Sequence, residues 1–226
     1  MTTKFKIPFS QILKSKFPEL NIIETLLPEG EYVKEVTKKR QGVLHHSASM
    51  TIRFLRDVWT NDGRGPISTA LAIEQNGDVY ILFDPNFWGF HTGRGQEVDK
   101  YNVGCEMANV GPVKQRDGKW FWNYPFFNYP YTGKVIDLGH DYRGCGRFWA
   151  AYTEEQLIVA AKVYAVVCKH FGIPCEYLES FDYKPEYVNF RGVVDHHDLY
   201  LQKADTSPVW EAQRFEKLLK EYYSKL

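Results

Sequence analysis

The spacing of apolar residues changes several times along this 226-residue chain, and each change predicts an element. Val43 to His45 reads as a core strand. From 51 to 61, Ile52, Phe54, Leu55, Val58 and Trp59 recur at helical spacing, with Thr51 or Ser49 as the cap. Asn76-Gly77 separates apolar runs at 70–73 and 79–83, which predicts a hairpin whose type I′ turn needs positive φ twice. Residues 103–108 fit a further strand. Thr153-Glu154-Glu155-Gln156 is a capping box opening a long helix. Leu157, Ala160, Ala161, Tyr164 and Cys168 form its apolar stripe, and Gly172-Ile173-Pro174 ends it. Val193-Val194 supplies another strand, and Ser207-Pro208 opens a terminal helix carrying Phe215, Leu218, Leu219 and Tyr222.

Strands interleaved with helices predict a single α/β domain, a central mixed β-sheet flanked by helices. Residues 1–40, with Pro8, Pro18 and Pro28 among short amphipathic pieces, read as a lead-in packed on a domain at 41–226. Over 112–150 the periodicity breaks into an insert rich in Gly, Pro and aromatic residues.

Composition narrows the classes. The 28 basic and 28 acidic residues balance, so no global field draws the chain to nucleic acid or an anionic membrane. No stretch approaches the roughly 20 apolar residues of a membrane span. Residues 1–8 lack an apolar run of signal-peptide length, which predicts synthesis in the cytoplasm. Cys105, Cys145, Cys168 and Cys175 have no C-x-x-C spacing and read as reduced core residues, Cys168 and Cys175 being the one pair to check for a bridge.

Candidate chemistry lies in two histidine doublets. His45-His46 and His196-His197 hold four of the seven histidines, and each follows a short aliphatic run. Two imidazoles and one carboxylate suit a catalytic zinc with an open fourth position. Neighbouring residues on a strand face opposite ways, so one histidine of each doublet reaches a given metal, and spacing leaves the choice open. Asp205 lies nine positions beyond His196, a separation natural for a loop that folds back. The alternative for each doublet is a hydrogen-bonded core or surface histidine.

Five segments extend the pattern: Leu44-His45-His46-Ser47-Ala48-Ser49, Phe90-His91-Thr92-Gly93, Asn102-Val103-Gly104-Cys105-Glu106, Tyr152-Thr153-Glu154-Glu155-Gln156-Leu157, and residues 196–205. In this order they resemble the zinc N-acetylmuramoyl-L-alanine amidases, a family that includes phage endolysins, bacterial anhydromuropeptide amidases and peptidoglycan-recognition proteins. The resemblance spans roughly residues 41–210. It implies Zn²⁺ held by His45, His196 and Asp205, with Lys203-Ala204-Asp205 matching the family's lysine-x-aspartate form. Asp198 is the rival carboxylate, or orients an imidazole. The resemblance further implies Glu106 as general base, Lys203 as stabiliser of the oxyanion, and substrate contacts at His91, Asn102 and Trp88. Some phage relatives use a tyrosine before the hairpin turn; Ser68-Thr69-Ala70-Leu71 has none, which moves that weight to Glu106. A packed loop histidine is the other reading of His91.

The implied reaction is hydrolysis of the amide between N-acetylmuramic acid and L-alanine, on peptidoglycan or a muropeptide. A phage or prophage lysis role after release fits, as does a cytoplasmic recycling amidase or an exported effector; oligomeric state stays open. A non-catalytic peptidoglycan-binding module and a zinc hydrolase of another amide are the rival functions. In the insert, Trp120, Trp122, Tyr124, Phe126, Phe127, Tyr129 and Tyr131 fit a platform for sugars and stem peptides or a satellite core under a long loop.

Overall fold

The aliphatic runs before the histidine doublets become the middle of one six-stranded sheet. A computed structural model describes residues 7–123, 128–206 and 208–226 of the chain. Its elements begin with α1 (Phe9–Lys16), β1 (Ile22–Glu24), β2 (Gln41–His46), α2 (Ile52–Asn61), β3 (Leu71–Ile73), β4 (Val79–Ile81), α3 (Gln96–Asp99) and β5 (Asn102–Met107). The insert holds β6 (Val113–Arg116), β7 (Lys119–Trp122), β8 (Pro130–Tyr131), β9 (Val135–Asp137) and β10 (Phe148–Ala150). α4 (Glu154–Phe171), β11 (Gly192–Asp195), α5 (His196–Leu199) and α6 (Ala212–Ser224) complete the chain.

The sheet order is β1-β4-β3-β5-β2-β11, all neighbours pairing in parallel except β3 with β4. β5 and β11 are buried at every residue and β2 at all but His46, as parallel strands covered on both faces should be. That is why Val43-Leu44 and Val193-Val194 read as aliphatic runs instead of alternating with polar residues. The predicted capping box at Thr153 and Gln156 is present, and α4 lies on the sheet with α1 and α6 packed against it. Tyr164 of α4 donates its hydroxyl to the Val43 carbonyl at 2.6 Å. Its ring passes so near β2 that a Cβ on Gly42 would fall 2.4 Å from it.

Four expectations change on contact with the structure. The lead-in does not merely pack on the domain: β1 pairs with β4 as the sheet's edge strand, and Phe9 and Leu13 join the main core. Three residues are too few to show a period. The hairpin turn is not type I′, since Gly77 has φ 85° and Asn76 is not among the positive-φ residues. Gly77 N–H donates to Glu74 O and Glu74 N–H to Asp78 O, a three-residue loop with its glycine at the left-handed position. The terminal helix starts at Ala212, not at Pro208; Ser207 lies outside the described residues. Trp210 turns inward there, packing on Tyr152 and Phe215, and the helix begins after it. Cys145 and Cys175 are half-buried, not core, and the cysteines at 105, 145, 168 and 175 are all free.

The insert forms a three-stranded sheet, β6-β7-β8, and a two-stranded one, β10-β9. Val110, Val113, Trp122, Tyr131 and Ala150 make a small core of their own beneath them, while Tyr129 is 51% exposed. Tyr124, Phe126 and Phe127 lie outside the described residues. Among the described residues, no helix is long and apolar enough to cross a membrane.

Candidate metal centre

Parallel strands deliver side chains together at their carboxyl ends, and here three such ends meet. His45 and Glu106 are register partners on β2 and β5, so their side chains share a face. Asp195 on β11 pairs with Leu44, which brings the next residue, His196, level with His45. Asp205 returns to the same point on the loop after α5. His45 Nδ1 lies 2.9 Å from His196 Nδ1, His196 Nδ1 2.9 Å from Asp205 Oδ2, and His45 Nδ1 3.3 Å from Asp205 Oδ2. All three residues are buried.

That triangle fits a metal ion. Ligand bonds of about 2.0–2.1 Å at tetrahedral angles set donor atoms about 3.3 Å apart, close to the spacing here. The outer nitrogens fix the tautomers. His196 Nε2 sits 3.1 Å from Thr92 O, which can only accept, so the proton is on Nε2 and the Nδ1 lone pair points inward. His45 Nε2 sits 2.9 Å from His91 Nδ1; with its proton there, its Nδ1 lone pair also points inward. Two lone pairs and a carboxylate then converge with no proton between them, an arrangement a cation satisfies. Burial, then His196, holds His45 well below the usual imidazole range, and burial pushes His91 down to about 4, so both are neutral, the ligating form. Burial works against ionising Asp205, yet its contacts with His196 and His45 keep its carboxyl well below the usual range.

Glu106 stands beside the triangle, 8% exposed, and its Oε2 has no hydrogen-bond partner among the described residues. Burial, then the Asp205 carboxylate, pushes it up to about 8, with Lys203 pulling the other way. A carboxyl balanced near neutrality is suited to taking and returning a proton. Lys203 is exposed and lines the same cleft, of about 800 Å³, with His45, Glu106, His196 and Asp205. α2 forms one wall through Phe54, Leu55, Val58 and Trp59; the insert lines the cleft through Pro112, Asn123, Cys145 and Trp149. The insert is therefore both a satellite core and a cleft wall.

Other predicted residues go elsewhere. His91 does line the cleft, but its ring also backs His45 directly, in space that a Cβ on Gly104 would close to 3.0 Å. Asn102 opens β5, four residues and roughly 13 Å of strand from Glu106, and is not on the cleft wall. Trp88 is buried away from the cleft with its indole N–H donated to Glu35 at 3.0 Å.

A second group of donors, Asp195, His197 and Asp198, lies on the other side of the doublet. His197 Nδ1 and Nε2 face the carbonyls of Asp205 at 3.1 Å and Ser180 at 2.8 Å. Asp195 accepts from Tyr177 and from Thr206 Oγ1; burial, then Asp195, pushes Asp198 up to about 9. The hydrogen bonds of this cluster fasten the loop after α5 to the end of β11. Its dense use of His197 and Asp198 answers the doublet question: His196 faces the centre, and Asp198 braces the backbone through Asp195 N–H at 3.0 Å.

No protein-family model matches the chain, and no curated protein matches it. Solved structures do. The hydrolase AmiA of Staphylococcus aureus, crystallised with its ligand, superposes with a TM-score of 0.56 at 13% identity over 96% of this chain and 93% of that one. A mutant endolysin from Bacillus subtilis gives 0.51 at 14% identity, covering 88% and 99%. The N-acetylmuramyl-L-alanine amidase AmiD of E. coli, bound to an anhydro-muropeptide substrate, gives 0.51 at 15% identity, covering 82% of this chain and 59% of that one. The chain therefore shares its overall fold with this hydrolase, this endolysin and this amidase.

Proposed function

We propose that the chain is a zinc-dependent N-acetylmuramoyl-L-alanine amidase, cleaving the amide between the muramic lactyl group and L-alanine in peptidoglycan or its fragments. The observation that carries this reading is the triangle of His45 Nδ1, His196 Nδ1 and Asp205 Oδ2, beside a buried Glu106 whose Oε2 has no hydrogen-bond partner among the described residues, all in a common cleft. The three donors hold the zinc. When bound, it supplies a Lewis acid for the scissile carbonyl and acidifies water near neutral pH.

The chain's own residues do the rest. Glu106, fixed on β5, takes the proton of the attacking water and returns it to the leaving amine of alanine. Lys203 at the cleft mouth carries the positive charge that the tetrahedral oxyanion needs. His91 accepts the His45 Nε2 proton and keeps the Nδ1 lone pair turned inward. The walls from α2 and the insert exclude water from the flanks and hold the sugar and stem on either side of the bond.

The test is digestion of purified sacculi and of soluble muropeptides by zinc-loaded protein, with the products read by mass spectrometry. Stem peptides carrying a new N-terminal L-alanine, absent after chelation, are expected from at least one substrate. Zinc-loaded protein that binds sacculi and releases none would make it a recognition module; release of a different amine would reassign the substrate.

A further inference from the structure

The insert does more than wall the cleft, and the residue that shows it is Arg143. Its Nη1 donates to the carbonyls of His197 at 2.9 Å and Lys203 at 2.5 Å, and its Nη2 to Phe181 O at 3.0 Å. One guanidinium thus ties the segment before β11, the short helix α5 and the loop ending in Asp205. Helix α5 has four residues: its first carbonyl, His196 O, accepts from Tyr200 N–H at 3.2 Å, and Arg143 takes the next, His197 O; a rigid five-donor fork is well matched to several carbonyls at once.

The turn that presents Arg143 is itself built. Arg143 has φ 50°, and the Asp141 carboxylate accepts from the N–H groups of Gly144 and Gly146 at 2.7 Å each. Trp149, fully buried, donates its indole N–H to Gly146 O at 2.9 Å, and Tyr142 packs edge-on against both Trp149 and His197. From there the loop is gripped carbonyl by carbonyl. Arg143 holds that of Lys203, His197 that of Asp205 through its N–H at 2.7 Å, and Tyr152 that of Thr206 at 2.7 Å. Lys203, a cation lining the cleft, and Asp205, the third donor, stand between these anchors.

We propose that Arg143 is a positioning residue: it couples the insert to the metal centre by fixing where Lys203 and Asp205 present their side chains. The inference rests on the zinc reading above. Its loss leaves both side chains in place but lets their backbone shift, so zinc affinity and turnover fall together. Groups that orient a metal ligand typically contribute a factor of about 10–100 in affinity.

The experiment measures zinc affinity by competition with a chromogenic chelator, kcat and KM on a muropeptide, and the melting midpoint of chelated protein. It compares wild type, R143A, R143K, and R147A as a control that removes an exposed pair with Asp137 in the same insert. For R143A, zinc Kd should weaken about 10–100-fold with kcat falling more than KM changes. R143K should recover only part, because an ammonium cannot serve three carbonyls in that fork. R147A should match wild type. Should R143A not fold, R143K carries the test by the same readouts. Zinc affinity within twofold of wild type in R143A, or in R143K where that variant stands in, with only a lower melting midpoint, makes Arg143 a mere structural tie and overturns the proposal. Wild type that binds no zinc overturns the zinc reading itself, and this proposal with it.

Discussion

The two imidazoles of the candidate centre and its carboxylate are held by different kinds of structure. His45 projects from a parallel strand buried along nearly its whole length, and His196 follows directly on another such strand, positions that regular backbone hydrogen bonding fixes. Asp205 lies on an irregular loop whose carbonyls are held one at a time by Arg143, His197 and Tyr152. The first arrangement is set by chain pairing and is hard to perturb by any single side chain. The second depends on individual donors, two of them far away in sequence. Precision at a loop ligand must be supplied by neighbouring side chains, and the insert is where part of it comes from.

Alanine at His196 gives the largest expected effect, because it removes a donor that the sheet itself aims. Stoichiometric zinc and turnover should both disappear, as read by metal analysis of purified protein and by muropeptide hydrolysis. Undiminished zinc and activity in that variant would put the chemistry elsewhere. Glu106→Gln separates holding from turnover on the same sheet: zinc is retained while kcat falls on the order of 100–10,000-fold, the usual contribution of a positioned acid–base. Lys203→Ala belongs to the loop side of the comparison. Loss of a single oxyanion donor costs roughly 100–1000-fold, and its exposure puts it at the lower end. A zinc affinity that also dropped for Lys203→Ala would mean the side chain, and not its carbonyl, anchors the loop.

The same contrast decides what could be read from sequence. β2, β5, β11 and α4 were legible, because continuous apolar runs and a capping box are local signals that tertiary context did not overturn. β1 was not, since its place comes from pairing with Val79 to Ile81 more than fifty residues away. The choice of His45 and His196 within their doublets came from family resemblance; the structural reason, that His197 and Asp198 are occupied by carbonyls and the Asp195 backbone, depends on contacts no spacing encodes. The resemblance implied substrate contacts at Asn102 and Trp88, yet Asn102 opens β5 at the end away from Glu106 and Trp88 is buried with its indole N–H on Glu35, neither of them lining the cleft. Arg143 carries no motif at all. Its role appears only once a turn inside the insert is seen to face α5.

Below these activity effects stands a packing effect on the scaffold. Gly42→Ala puts a methyl 2.4 Å from the Tyr164 ring, whose hydroxyl is bonded to the adjacent Val43 carbonyl. The ring cannot move aside without giving up that bond, so overpacking should cost about 1–3 kcal/mol in urea unfolding. Zinc affinity of the folded variant should stay near wild type if the sheet transmits little to its strand ends. A large loss there would show that the sheet side is less independent than the comparison holds.

The smallest effect tests how much charge the scaffold tolerates away from the centre. Lys39 precedes β2, 1% exposed, with its ammonium donating to the Phe87 carbonyl at 2.6 Å. Burial pushes it down to about 7, against the pull of Asp84 and Glu35. The sign follows from proton counting. Below about 7 both folded and unfolded chains carry the proton, and the full cost of burying the charge is present. Between there and the ordinary lysine value the unfolded chain binds a proton the folded one has released, so this residue's share of stability rises with pH. In Lys39→Met the term is absent. Wild type should therefore gain on the order of 1 kcal/mol relative to the variant between about pH 6.5 and about pH 8. Parallel unfolding curves for the two proteins across that range would place the ammonium in water, and would remove the claim that the start of β2 carries a buried charge with no part in the chemistry at its other end.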